Sequence, residues 1–298
     1  MKGIVLAGGT GTRLSPVTRC VSKQLLLVYD KPLVYYPLSV LIQAGISEIL
    51  VIATARDLPL FRALLGDGRA FGIRLSYAVQ NHPNGIAESL VIARDFIQRQ
   101  PTCLILGDNI FHGAGLEDML RTAMDSLDGA ALFGYRVRDP GRYGVVEWSA
   151  EGRMRGVVEK PRRPPSDLAV TGLYLYDAEA SDVAARLEPS LRGELEITDV
   201  NNHYVQGGRA ALHILPPGTA WFDTGTFDSL LEAAGYVAAL QRRQGTMVAC
   251  LEEIAYRAGL ITERQLEARS VEMADGDYGR YLRDLVAHSR AACEPAGG

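Results

Sequence analysis

The stretch Lys2–Lys31, KGIVLAGGTGTRLSPVTRCVSKQLLLVYDK, decides how the rest of the chain reads. Gly3-Ile4-Val5-Leu6-Ala7 is a short apolar run of the kind that forms a strand buried on both faces. Gly8, Gly9 and Gly11 then interrupt it, and Arg13 and Lys23 follow. Glycine has no Cβ, reaches positive φ, and lets backbone N–H groups close on an anion. Arginine adds a planar fork of donors suited to phosphate oxygens, and lysine a compact charge. Strand, glycine loop and two cations together predict a place where phosphate is held. The dinucleotide pattern G-x-G-x-x-G does not fit, because Leu14 stands where its third glycine belongs. The P-loop pattern fails too, since no lysine follows these glycines directly.

Composition narrows the class. The 298 residues are 47% hydrophobic and 22% charged, with a formal net charge of −4, which is ordinary for one large α/β unit or two smaller ones. There is no Lys/Arg block with interleaved aromatics, so nucleic acid is not an expected partner. No apolar run approaches the roughly 20 residues of a membrane span, and no membrane partner is expected. Lys2 leads straight into a core strand without a signal-peptide layout. Cys20, Cys103, Cys250 and Cys293 share no metal or redox spacing, which predicts reduced thiols in a cytoplasmic protein. The histidines show no H-x-x-x-H pair, so zinc is not expected. Lysine is rare: Lys2, Lys23, Lys31 and Lys160 stand against twenty-seven arginines, and three of the four lie in the opening stretch.

Further along, helices are expected over Pro32–Ala44, Leu58–Leu65, Ile86–Gln98 and Leu116–Ser126. Strands are expected over Glu48–Ala53, Ile73–Val79, Cys103–Leu106 and Ala130–Val137. This alternation through residue 137 predicts a parallel, doubly wound sheet. The middle reads differently, with paired strands Tyr143–Trp148 and Met154–Glu159 turning at Gly152, a strand over Ala169–Tyr176, a helix over Ile197–Gln206 and a strand over Arg209–Leu215. A long helix over Asp228–Gln241 and short helices beyond Gly245 complete the expectation. The predicted fold is therefore an α/β, Rossmann-like core with a mixed, mainly parallel sheet flanked by helices, a mixed-sheet insertion and a helical carboxyl-terminal tail. Ligands in such sheets sit outside the carboxyl ends of the strands. Gly8–Arg13 and Asp108 both leave strands at that rim, which places a carboxylate near the phosphate cradle. Mg²⁺ commonly binds one or two carboxylates plus phosphate oxygens. Asp108 alone reads equally as a turn residue, and Asp223 as the cap of the helix after it.

The ordered set of motifs resembles the glucose-1-phosphate thymidylyltransferases, a branch of the sugar nucleotidyltransferases, over nearly the whole chain. The residues that carry the likeness are Leu6-Ala7-Gly8-Gly9-Thr10-Gly11-Thr12-Arg13-Leu14, Ser22-Lys23-Gln24-Leu25-Leu26 and Tyr29-Asp30-Lys31-Pro32. Gly107-Asp108-Asn109-Ile110-Phe111, Arg142–Glu147, Glu159-Lys160-Pro161, Ala169–Tyr174, Gly193–Asp199 and Ala220–Thr226 follow in order. The resemblance implies that dTTP and α-D-glucose 1-phosphate are converted into dTDP-glucose and pyrophosphate by in-line displacement, the first step toward a dTDP-deoxysugar. It implies a nucleotide site made of Leu6, Gly8, Gly9, Gly11, Thr12, Arg13, Gln24, Gln80 and Gly85. It implies a sugar-phosphate site made of Asn109, Tyr143, Gly144, Glu159, Lys160, Val170 and Tyr174. Catalysis would fall to Arg13, Lys23, Asp108, Lys160 and Asp223, with Mg²⁺ on Asp108 and Asp223.

The same likeness implies a core over residues 1–244, its nucleotide-binding part about 1–137 and its sugar-binding part about 138–227. The segment 245–298 becomes a helical oligomer or regulatory interface. A homotetramer is implied, with allosteric feedback by dTDP-rhamnose or a similar sugar nucleotide, and Glu252–Arg257 resembles the family's helical contribution to that feedback site. The chain departs from the family's pattern at Leu27, Asn84, Glu88 and His112, where proline, an acidic residue, glutamine and tyrosine are common. Two of these lie in the base-binding segment, which leaves open the choice between dTTP and UTP. A uridylyl- or cytidylyltransferase on the same fold, and an inactive regulatory subunit that only binds sugar nucleotides, stand as the alternatives.

Overall fold

The computed structural model describes residues 1–9, 11–273 and 276–293. Strand β1 (Lys2–Ala7) lies at the centre of the sheet. A small hairpin of β2 (Leu27–Val28) and β3 (Lys31–Pro32) precedes helix α1 (Tyr35–Gln43). β4 (Glu48–Ala53), α2 (Leu58–Leu65), β5 (Arg74–Val79), α3 (Glu88–Ile92), α4 (Arg94–Ile97) and β6 (Thr102–Leu106) follow. The strands stand in the order β5-β4-β1-β6, all parallel, with Val5 beside Val51 on one edge and Ile105 on the other. Successive residues point to opposite faces. Val5, Val51 and Ile105 join one buried cluster, while Ile4, Leu50 and Leu104 join another. Apolar residues at every position are what a strand covered by helices on both sides requires.

The sheet is completed by strands from far along the chain. These are β8 (Ala130–Arg136), β9 (Gly144–Trp148), β10 (Met154–Glu159), β11 (Leu168–Tyr176) and β12 (Ala210–Ile214), while β7 (Asn109–His112) and β13 (Ala220–Asp223) pair with each other apart from it, and α5 (Leu116–Asp125), α6 (Ala180–Ala184) and α7 (Ile197–Gln206) lie between these strands in the chain. β11 runs antiparallel between β6 and β8, and β12 adds parallel to β8. The parallel sheet expected from residues 1–137 is thus interrupted: β8 does not pair with β6, because β11 lies between them. β11 is buried along its whole length, and its nine residues hold two neighbours on one edge. Leu173–Tyr176 pair with β6, while Ala169 and Val170 pair with β9. Between those two partners the edge of β11 is open at Thr171 and Gly172, and this opening faces the end of β6.

Helix boundaries shift for local reasons. α1 begins at Tyr35 rather than Pro32 because Lys31 and Pro32 are held in the hairpin opposite Val28 and Leu27. The single helix expected over Ile86–Gln98 is two short ones that part at Ala93 (φ −80°, ψ −2°). Beyond α8 (Phe227–Gln244), helices α9 (Leu251–Arg257), α10 (Glu263–Glu272) and α11 (Asp277–Cys293) pack together, and α9 lies against α1. α11 is 17 residues long, where short helices were expected. Residues 274, 275 and 294–298 of the expected tail lie outside the described residues, as does the side chain of Cys293. Among the described residues no helix is long and apolar enough to cross a membrane.

Candidate active site

The first strand ends at Ala7 and delivers the glycine loop to the rim of the sheet. Gly9 (φ 90°) and Gly11 (φ 59°) take left-handed conformations that side chains rarely adopt. Gly8 is small for another reason: a Cβ there would run into Oε1 of Gln80, which crosses over it from the end of β5. Thr18 Oγ1 donates to Gly11 O at 2.8 Å and holds the far side of the loop. Gln24 is buried, and its Nε2 donates to Gly8 O at 3.3 Å while Ser22 Oγ donates to its Oε1 at 2.5 Å. Thr10 lies outside the described residues.

β7 and β13 form a two-stranded antiparallel ribbon in which Asp223 stands opposite Asn109 and Trp221 opposite Phe111. This register brings Asp108 and Asp223, 115 positions apart in the sequence, to one end of the ribbon. Thr224 fastens the junction: its N–H (3.1 Å) and its hydroxyl (2.7 Å) both donate to Asp108 O. Lys23 donates to Asp108 Oδ2, and Asn109 Nδ2 donates to Asp108 Oδ1 at 2.9 Å. Burial pushes the Asp108 carboxyl up, but the Lys23 charge and the two hydrogen bonds outweigh it and hold it below the usual range. Asp223 goes the other way. Burial and the charge of Asp108 push its carboxyl up, against the opposing pull of Lys23, Arg13 and Arg142.

Two cavities open on this point. One of about 320 Å³ is lined by Leu6, Gly8, Gly9, Gly11, Thr12 and Arg13 of the loop. Lys23, Gln24, Gln80 and Gly85 complete the set expected there. The other, of about 400 Å³, is lined by Asn109, Tyr143, Gly144 and Glu159. Lys160, Val170, Tyr174 and Asp223 line it as well. Arg13, Ile86, Leu106 and Asp108 border both, so the two are lobes of one cleft that meet at a cation and a carboxylate. The chain therefore brings together every residue that the sequence placed in either group.

The structure also assigns tasks that the sequence did not disclose. Asn109 lines the second lobe but is only 2% exposed. Its Oδ1 accepts from Trp221 Nε1 (2.7 Å) and from Gly172 N (3.1 Å). Gly172 sits in the open edge of β11, and a Cβ there would lie 2.6 Å from that same oxygen. Trp221 in turn packs against Tyr143 at 5.1 Å between ring centroids. Its position two residues before Asp223 in a strand, on the same face, was the available signal. Glu159 is fixed by Thr198 Oγ1 (2.6 Å) on one oxygen and by Arg192 (3.3 Å) and Lys160 (3.3 Å) on the other. Arg192 precedes and Thr198 lies within the Gly193–Asp199 motif at the start of α7, but the sequence reading assigned neither of them to the cleft. Lys160 takes φ 41°, a left-handed turn at the end of β10 that Pro161 follows. Gly225 leaves room for Arg13, whose Nη2 a Cβ would meet at 2.7 Å. Among the described residues no three His, Cys, Asp or Glu side chains form a metal-binding group.

A cleft with a glycine loop, a cationic rim, two neighbouring carboxylates and a second lobe beside them has the parts that moving a nucleotide onto a second ligand needs. Residues 2–239 match the nucleotidyl transferase family, and the chain belongs to that family. Its relatives narrow the class. It is 55% identical over 285 residues to the glucose-1-phosphate thymidylyltransferase of Xanthomonas campestris pv. campestris, covering 96% of this chain and 97% of that one. It is 52% identical over 286 residues to the enzyme of the same name from Neisseria gonorrhoeae, covering 96% and 99%. A crystal structure of a Bacillus anthracis protein in complex with sucrose is 38% identical, with a TM-score of 0.74, and the match covers 79% of this chain and 94% of that one.

Proposed function

We propose that this protein transfers the thymidylyl group of dTTP to α-D-glucose 1-phosphate, giving dTDP-glucose and pyrophosphate. The observation that carries the reading is the meeting of the two lobes at Arg13 and Asp108. A donor in the first lobe and an acceptor in the second would then face each other across one point, as in-line displacement needs. A phosphate oxygen of the sugar phosphate attacks the α-phosphorus. The bond from that phosphorus to the bridging α,β-oxygen breaks, and pyrophosphate leaves. The attacking oxygen is already anionic, so no general base is required.

The roles follow from charge and place. The glycine loop, with Gln24 behind it, holds the triphosphate, and Gln80 and Gly85 read the base. Arg13 and Lys23 neutralise charge that moves onto pyrophosphate. Lys160 meets the sugar's phosphate, and Glu159, its two oxygens fixed by Thr198 and Arg192, accepts hydroxyls of the hexose. Asn109, Tyr143, Gly144, Val170 and Tyr174 shape the pocket around the ring. Asp108 and Asp223 fit a hard divalent cation: both are carboxylates at one point of the cleft, and burial first, then the Asp108 charge, push the Asp223 carboxyl up, a cost that a bound cation would offset. Mg²⁺ on this pair would supply charge neutralisation of the phosphate oxygens.

The finer assignments belong to the same reading. Residues about 1–137 carry the nucleotide and about 138–227 the sugar phosphate, on one continuous sheet. Residues 245–298 form an oligomer interface of a cytoplasmic homotetramer with feedback by a dTDP-deoxysugar, and the reaction opens a deoxysugar pathway. The packing of α9 against α1 supports a link between the tail and the core. Pyrophosphate release measured with dTTP, UTP and CTP against several hexose 1-phosphates tests the whole. No turnover with dTTP, glucose 1-phosphate and Mg²⁺ would end the proposal.

A further inference from the structure

We propose that the outer face of α8 pairs with the same face of a second copy of this chain, the two helices running antiparallel about a two-fold axis at Gly235. The surface lies outside the tail interface named above, and the inference does not depend on the transferase reading.

α8 is 18 residues long, and the core covers one side of it. Ala233 and Val237 on that side join the buried cluster of Val28, Leu33 and Ile110. On the other side Leu231 is 73% exposed and Phe227, one turn earlier, 48%. Gly235 and Ala239 are exposed as well, and Ala238 is half-buried. A Cβ on Gly235 would meet no atom within 4 Å. An apolar strip left in water over successive turns of a helix marks a contact surface.

The charges around this strip name its occupant. Asp228, Gly235 and Arg242 follow at intervals of seven residues, which places them on one face with Gly235 midway. A two-fold axis at Gly235 sets Asp228 of each copy against Arg242 of the other, so the contact is made twice. The same operation brings Leu231 level with Ala238 and Ala239 of the other copy, one large side chain against two small ones. Within a single copy the two charges cannot meet, because the helix between them holds them about 21 Å apart. Among the described residues neither has an ion-pair partner, and Arg242 only lies over the Tyr29 ring, at 5.8 Å. An acid at the start of a helix and a base at its end also suit its dipole. The dipole gives no reason for Leu231 to stand in water between them.

Light scattering over a dilution series, on the full chain, its variants and their mixtures, tests the pairing without requiring turnover. Wild-type protein is expected to be an oligomer at micromolar concentration. Gly235→Lys is expected to halve its mass and leave far-UV circular dichroism unchanged, since the new side chain has open space in its own chain but meets its counterpart across the axis. Asp228→Arg and Arg242→Asp, each alone, turn both attractions into repulsions and are expected to weaken association about tenfold. Mixed in equal amounts, these two variants should regain the wild-type mass, because each arginine of one then faces an aspartate of the other. A monomeric wild type would overturn the inference. So would an oligomer whose mass Gly235→Lys leaves unchanged, which would assign association to another surface. A mixture no more associated than its two components would overturn the antiparallel pairing as well.

Discussion

Lys23 and Asp108 form an ion pair across the floor of the cleft, 85 positions apart in sequence. The lysine side chain is 12% exposed and the aspartate 18%. A buried pair of this kind is stable only because each charge meets the other, and it leaves the second carboxylate, Asp223, without an equal partner. Arg142 approaches Asp223 no closer than 3.9 Å. The cleft therefore holds one satisfied acid and one that resists ionisation.

That asymmetry separates activity from stability. Asp108→Asn should lower turnover about 100-fold or more, as loss of a central charge-stabilising group does, with far-UV circular dichroism unchanged. Chelation with EDTA should abolish pyrophosphate release in the wild type, and added Mg²⁺ should restore it. Near-normal turnover in Asp108→Asn would remove that residue from the site.

Asp223→Asn should also lose turnover, yet gain stability. The folded protein raises the Asp223 carboxyl above its unfolded value. The stabilisation that comes from holding its proton is present at low pH and lost as pH rises through the folded value. At neutral pH the ionised group is a net burden that asparagine does not carry. Melting of metal-free protein should show Tm higher in the variant, on the order of 2 °C, with the difference vanishing toward acid pH. A lower Tm at neutral pH would mean that the cations around Asp223 outweigh its repulsion.

Trp221→Phe removes the donor to Asn109 Oδ1 and leaves Gly172 N as that oxygen's partner. Trp221 borders the second lobe and not the first. KM for glucose 1-phosphate should rise about fivefold, one hydrogen bond's worth, with KM for dTTP unchanged. Parallel rises in both would place Trp221 in general scaffolding.

Gly172→Ala tests the opening in β11. Its Cβ would meet Asn109 Oδ1 and two carbons of Leu106 at 2.6–2.7 Å. Overpacking at a buried site costs about 1–3 kcal/mol, readable as a fall in the urea midpoint. Gly9→Ala meets no atom within 4 Å and suffers only from its φ of 90°. It should lose about 1 kcal/mol, the strain of a side chain in that conformation.

Arg56→Met should loosen the glycine loop from outside. Arg56 Nη1 donates to Arg19 O at 3.0 Å, and the same guanidinium pairs with buried Asp57 through Nε and Nη2, both at 2.9 Å. The arginine thus ties the end of β4 to the segment that Thr18 connects to Gly11. KM for dTTP should rise several-fold, about 1 kcal/mol, while KM for glucose 1-phosphate holds. A change confined to Tm would limit Arg56 to stability.

Much of this site was legible before any tertiary contact was known. The apolar run to Ala7, the glycines at positions that need positive φ, and the rarity of lysine all concern single residues or near neighbours. Lys23 and Lys160 border the cleft, while Lys2 pairs with Glu48 and Lys31 is buried against Asp30 and Gln241. Scarcity of lysine alone did not separate the two kinds. Glu159-Lys160 was readable as a charged strand end, but the Thr198 and Arg192 that fix Glu159 were not, because their role depends on where α7 docks.

The sequence by itself determined the local pieces: which runs are strands buried on both faces, where the chain must bend through glycine, and where the cations beside the glycine loop stand. Backbone geometry and hydrophobic period act over a few residues, so they are written locally. Only the tertiary structure decided that β11 enters antiparallel between β6 and β8, that β7 pairs with β13 in the register that joins Asp108 to Asp223, and that Asn109 turns its amide oxygen inward to Trp221 and Gly172. Strand pairing at long range is selected by what each edge and face can bury together, and that choice belongs to the whole sheet rather than to any one segment.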